Sequence, residues 1–168
     1  MALAIFTGVA AVLLATAIIF IAKSWFGTQP RLRVRILGEL SSSTAGGPDK
    51  IRCTWQKRLE IYNSTAFNAL GVTFIWPKPA LQLPVPRLEP PHVNATETRS
   101  LEFKIEKEFP REQVIACRDR FKELLPAELK TVALILKYQN DKGITFYTRY
   151  ELNGETENST FHRFRPRL

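Results

Sequence analysis

Several stretches of this chain alternate apolar and polar residues with a period of two, and this limits the fold more than any other feature. The clearest is TRSLEFKIEKEF, Thr98 to Phe109, with Leu101, Phe103 and Ile105 on one parity and Glu102, Lys104 and Glu106 on the other. RLRVRI, residues 31–36, repeats the pattern with arginine as the polar member. CTWQKRLEIY, Cys53 to Tyr62, does so with Cys53, Trp55, Leu59 and Ile61, and Lys57 interrupts the apolar row. A period of two is the signature of a strand with one face on a core and one in water. The chain is therefore expected to be mainly β.

Punctuation between these stretches fixes the connections. SSSTAGGPDK, residues 41–50, is a loop by composition. ALGVTFIW, residues 69–76, is more continuously apolar and predicts a central or doubly covered strand. PKPALQLPVPRLEPPH, residues 77–92, carries six prolines and predicts an extended crossover tacked down by Leu81, Leu83 and Val85. A short proline-rich ligand for a recognition module is the less favoured reading of it. Residues 111–125 switch to helical spacing. Val114, Cys117, Phe121, Leu124 and Leu125 share a face, and Pro110 and Pro126 bracket one short helix that buries Cys117. Residues 130–152 predict a hairpin turning at Asn140 to Gly143, where Gly143 suits a positive φ. Six or seven strands, one helix and strong turns predict an antiparallel β-sandwich.

Ahead of this domain, Ala2 to Ala22 hold 21 residues without a charge. At about 1.5 Å per residue such a helix spans the ~30 Å hydrocarbon layer. Lys23, Trp25 and Phe26 follow as interface anchors. The absence of a basic leader and the length of the run favour a retained anchor over a cleaved signal peptide. Ala4, Gly8, Ala11 and Ala15 form a small-residue stripe that suits helix packing in a membrane. The expected division is a transmembrane anchor at 1–23, a connector at 24–30, a β-sandwich domain at 31–152 and a basic tail at 153–168, with a last strand in the tail left open. Basic residues cluster after the apolar run, not before it. The positive-inside rule then places the N-terminus outside and the domain in the cytoplasm.

Asn63, Asn94 and Asn158 each open an Asn-x-Thr triplet, which points the other way, to an exported and glycosylated domain. Ordinary turn chemistry explains the triplets equally simply and is preferred. Cys53 and Cys117 have no metal-ligand spacing and read as free thiols, with a disulfide reserved for the exported alternative.

The run LEIYNSTAFNALGVTFIW and the closing LILKYQNDKGITFYTRYEL resemble segments of immunoglobulin-like and fibronectin-like sandwich domains of bacterial membrane proteins. The resemblance implies an Ig-like sandwich that works by binding. The antibody-type order of Cys, Trp and Cys is absent, because Trp55 stands only two residues after Cys53.

Catalytic machinery is scarce. His92 and His162 are the only histidines, and no phosphate-binding glycine loop, nucleophile elbow or zinc spacing is present. No cofactor is expected. Of the charges, residues 1–60 hold 8 basic and 3 acidic, residues 61–110 hold 5 and 5, and residues 111–168 hold 11 and 8, so the net +8 sits at the two ends. Arg31, Arg33 and Arg35 share one parity, as do Arg163, Arg165 and Arg167. If the first and last strands are neighbours, the two rows form one patch for an anionic partner: a lipid leaflet or a protein. A solubilising, self-pairing-resistant edge is the plain alternative. Nucleic acid is disfavoured, because the aromatics keep to core parity. The expectation is an accessory or adaptor subunit of a membrane complex, not an enzyme. An exported anchored domain and a tethered enzyme with an unrecognised site are the alternatives.

Overall fold

In the computed structural model, residues 14–19, 29–77, 82–117 and 124–166 are described. The alternating stretches all become strands. β1 (Leu32–Ala45) pairs antiparallel with β2 (Lys50–Asn63), which pairs antiparallel with β5 (Thr98–Pro110). The second sheet runs β4-β3-β6-β7-β8, from β4 (His92–Val93) and β3 (Ala69–Ile75) through β6 (Thr131–Gln139) and β7 (Thr145–Asn153) to β8 (Thr156–His162). All its pairings are antiparallel.

Period two sends alternate side chains inward from each sheet. Leu32, Val34, Trp55, Leu59, Ile61, Phe103 and Ile105 come from the first sheet. They share one core cluster with Ala69, Val72, Leu134, Leu136, Tyr138, Phe146 and Tyr150 of the second. Two antiparallel sheets over a common core are consistent with a β-sandwich. The most continuously buried strand is β6, in the middle of its sheet, where Leu134, Ile135 and Leu136 are all fully buried. β3, the strand predicted to be central, is flanked on one side only by the two-residue β4, and of its seven residues only Ala69 and Val72 are buried. A register shift between Leu70 and Thr73 leaves Gly71 at φ 61°, a bulge that glycine tolerates.

The β6–β7 hairpin turns where the sequence predicts. Asn140 Oδ1 accepts from the backbone N–H of Lys142 (3.1 Å) and Ile144 (2.9 Å), and Gly143 takes φ 73°. A second hairpin follows at once. Gly154 and Glu155 form a two-residue loop, with Gly154 at φ 64°. The tail left open in the sequence thus continues as β8. The proline-rich crossover lacks regular structure over residues 82–91, with Leu83 and Leu88 buried and Val85 partly so. Its Glu89–Pro90 bond is cis. Leu81 lies outside the described residues.

Two expectations are overturned. The single helix over residues 111–125 is instead α2 (Arg111–Ala116), with α3 (Ala127–Lys130) after Pro126. Cys117 ends α2 and is only half-buried, and Phe121 lies outside the described residues. The transmembrane anchor is the larger correction. No helix among the described residues is long and apolar enough to cross a membrane. Within the expected span residues 14–19 are described, as helix α1. A hydropathy count measures transfer preference residue by residue and does not by itself establish a helix of crossing length. The fold class loses its membrane helix. With it go the orientation drawn from the flanking charges and the cytoplasmic placement of an anchored domain. Ala15 falls in α1. Ala4, Gly8, Ala11, Lys23, Trp25 and Phe26 lie outside the described residues.

Candidate binding site at the seam between the sheets

β1 is an edge strand, so one side of its backbone has no ladder partner. Side chains of the second sheet satisfy it. Tyr138 donates its hydroxyl to the carbonyl of Pro30 (3.2 Å), and Thr148 donates to the carbonyl of Leu32 (3.0 Å). Further along, the N–H of Val34 reaches Ser159 Oγ (3.4 Å), and that of Ile36 reaches Glu157 Oε1 (3.3 Å). The Tyr138 and Thr148 hydroxyls also meet at 2.9 Å, fully buried. Burial pushes the Tyr138 phenol above its ordinary value, against the opposing effect of its contact with Thr148. Tyr150 is pushed higher still by burial and by the neighbouring Glu157 carboxylate, to which it donates (3.2 Å).

Over this seam lies a groove of about 450 Å³, within the usual size range of ligand sites. Cross-strand register builds its first wall. Arg33 stands opposite Tyr62, which stands opposite Thr98, and Arg35 stands opposite Glu60. β8 supplies the other wall through Glu157, Asn158, Ser159 and Phe161. Tyr62 and Phe161 are both substantially exposed.

The first and last strands, β1 and β8, are therefore neighbours across the seam. Arg31 lies over the Phe161 ring (5.9 Å to its centre), and Arg163, two residues beyond Phe161, lies over the Phe146 ring (5.9 Å). The arginines are not equivalent. Arg35 is partly neutralised by Glu157 (3.9 Å). Arg31 and Arg33 are exposed and have no carboxylate at ion-pair distance among the described residues. Arg165 is exposed, and Arg167 lies outside the described residues. Sequence reasoning missed Tyr62, Phe161 and Glu157. Tyr62 and Phe161 carried a signal, since each stands at an outward or tail position where an aromatic has no core to enter.

Elsewhere the chemistry is structural. Asn63 is fully buried and bonded through its side chain to the β2–β3 turn and to Val93 and Asn94, so it holds a junction and its amide is closed to modification. Asn94 and Asn158 are exposed. Cys53 and Cys117 are not joined in a disulfide, and burial raises the Cys53 value. No group of three or more metal-ligating side chains occurs among the described residues.

Comparison with protein families, curated proteins and solved structures finds no match to the chain. The likeness to immunoglobulin-like domains therefore rests on short motifs.

Proposed function

We propose that the chain is a non-catalytic binding module, an accessory or adaptor subunit whose seam groove takes an extended acidic segment of a protein partner. The observation that supports this reading is the unpaired Arg31–Arg33 row beside the exposed rings of Tyr62 and Phe161. Alternate residues of a strand are about 6.6 Å apart, the same repeat as alternate side chains of an extended peptide. An acidic residue at every second position would match the row. The rings would cover the apolar stems between. Interfaces favour such aromatic and arginine anchors. Strand partition supports an immunoglobulin-like sandwich as the rigid frame. The first, second and fifth strands form one sheet and the third, sixth and seventh lie in the other, as in that architecture.

The test is fluorescence anisotropy of the full chain with a labelled peptide alternating Glu and Val, against a Lys–Val control. The acidic peptide should bind and weaken with salt, because exposed charge pairs are screened beyond a Debye length of about 8–10 Å. Arg31→Glu with Arg33→Glu should lower affinity at least tenfold. Arg35→Glu should lower it less, since Arg35 already has a carboxylate. Equal losses from both variants, or binding to anionic lipid vesicles without binding to the peptide, would overturn the proposal.

A further inference from the structure

Lys57 occupies a position where the pattern of β2 demands an apolar residue. It shares the inward parity of Trp55, Leu59 and Ile61, with Gly38 of β1 on one side and Phe103 of β5 on the other. Gly38 makes the room: a Cβ there would lie 2.8 Å from Lys57 Nζ. The amine opens on a cleft of about 230 Å³ between the sheets, lined by Ile36, Leu125, Leu129 and Leu152, with Glu155 and Glu157 at the β7–β8 turn. The Lys57 amine has no hydrogen bond or ion pair among the described residues. Glu157 is already taken by Arg35, Tyr150 and the Ile36 N–H, and on α3 Glu128 is held by Lys107 (2.8 Å). Burial lowers the Lys57 ammonium from its ordinary value. A half-buried amine without a partner works against stability, and chains keep such features where they serve a site.

We propose that Lys57 is a reactive amine that captures aliphatic aldehydes in this cleft as a Schiff base. The lone pair on Nζ attacks the carbonyl carbon, the C=O π bond opens, and a proton moves from nitrogen to oxygen to give the carbinolamine. The C–O bond then breaks, water leaves, and the C=N bond forms with no change in oxidation level. The leucine and isoleucine side chains hold the alkyl tail. A neutral carbonyl enters without repulsion from Glu155 and Glu157, and burial shifts the amine toward the free base this chemistry needs. This site is separate from the seam groove and does not depend on it.

The experiment is reductive trapping. The full chain is incubated at pH 7 with hexanal and cyanoborohydride, and hexyl-lysine is mapped by mass spectrometry. Lys57 should be labelled at least tenfold faster than Lys137 and Lys142, which are exposed on the second sheet and its turn. Formaldehyde, which has no tail, should lose most of that preference. Gly38→Ala, which displaces the amine, should slow labelling at Lys57 and leave Lys137 unchanged. Labelling of Lys57 no faster than Lys137, or an equal preference with formaldehyde, would overturn the proposal. Both comparisons are made on the unsubstituted chain, so they decide it even if Gly38→Ala does not fold.

Discussion

Asn63 is the residue whose removal the fold should tolerate least for its size. Its side chain is fully buried. Its Nδ2 group faces three carbonyls, of Phe67 (2.7 Å), Asn94 (3.0 Å) and Val93 (3.2 Å). Its Oδ1 accepts from the N–H (3.2 Å) and the hydroxyl (2.9 Å) of Thr65. One amide thus joins the end of β2, the turn into β3 and the residue after β4. Asn63→Ala would strip partners from two or three carbonyls and from Thr65. Each orphaned buried polar group costs about 1–3 kcal/mol, and water can reach the half-buried ones, so the low end applies to each. The expected loss is about 3 kcal/mol. With a urea m-value of roughly 1–3 kcal/mol/M, the midpoint should fall by about 1 M or more with the slope unchanged. Asn63→Asp should be worse at neutral pH, because a carboxylate oxygen then faces the three carbonyls, and should partly recover in acid as it protonates. A loss under about 0.5 kcal/mol for alanine, or aspartate at pH 7 no worse than alanine, would refute the account of this junction.

Other outcomes follow from the same reasoning. Tyr138→Phe removes the hydroxyl shared with Pro30 and Thr148 and should cost about 1–2 kcal/mol in a denaturant titration. Lys57→Met keeps the stem and removes the unpaired amine. It should raise the stability read from urea unfolding by up to about 1 kcal/mol, modest because the residue is only half-buried, while removing the fast hexanal trapping and leaving that of Lys137 unchanged. Above about pH 10 the melting temperature should fall. Tyr138 and Tyr150 have raised folded values, chiefly through burial, so the stability they give is complete below the unfolded tyrosine value and is lost as pH rises past it. Tyr150→Phe should flatten that decline in a pH series of melts.

Much of the frame was legible because period two is hard to imitate. The inward residues of β2 and β5 are those the alternation names, and Asn140 to Gly143 turn the β6–β7 hairpin as their chemistry requires. Where reading failed, the reasons are physical. Asn153-Gly154 is itself a hairpin signal, yet the strand it opens, TENSTFH, is mostly exposed and has no apolar row to reveal it. Residues 111–125 carry helical spacing, but six of them suffice to place Val114 in the core as α2. Lys57 looked like a flaw in an apolar row; the gap that admits it belongs to Gly38, on another strand. The candidate site was half visible. Arginine on every second residue could be read directly, but its pairing could not, since Glu157 reaches Arg35 across 122 positions of sequence.

The free edges of the sheets also bear on where a partner would dock. β5 bounds the first sheet on the side away from β1, and its outward row carries its own countercharges. Glu108 meets Arg52 at 3.0 Å, Glu102 meets Arg58 at 3.5 Å and Lys104 meets Glu106 at 3.2 Å. A peptide arriving there would have to displace those pairs and would find no surplus of either sign. β1 is arranged differently. Tyr138, Thr148, Ser159 and Glu157 bond its open backbone, which removes the ladder positions a foreign strand would use. Recognition at this edge must then run through side chains on the outer face. There the charges fall unevenly: Arg35 is matched by a carboxylate, and Arg31 and Arg33 are not. Of these, Arg33 lines the groove without a matching carboxylate, which is why the acidic peptide should discriminate between Arg33 and Arg35, only two residues apart.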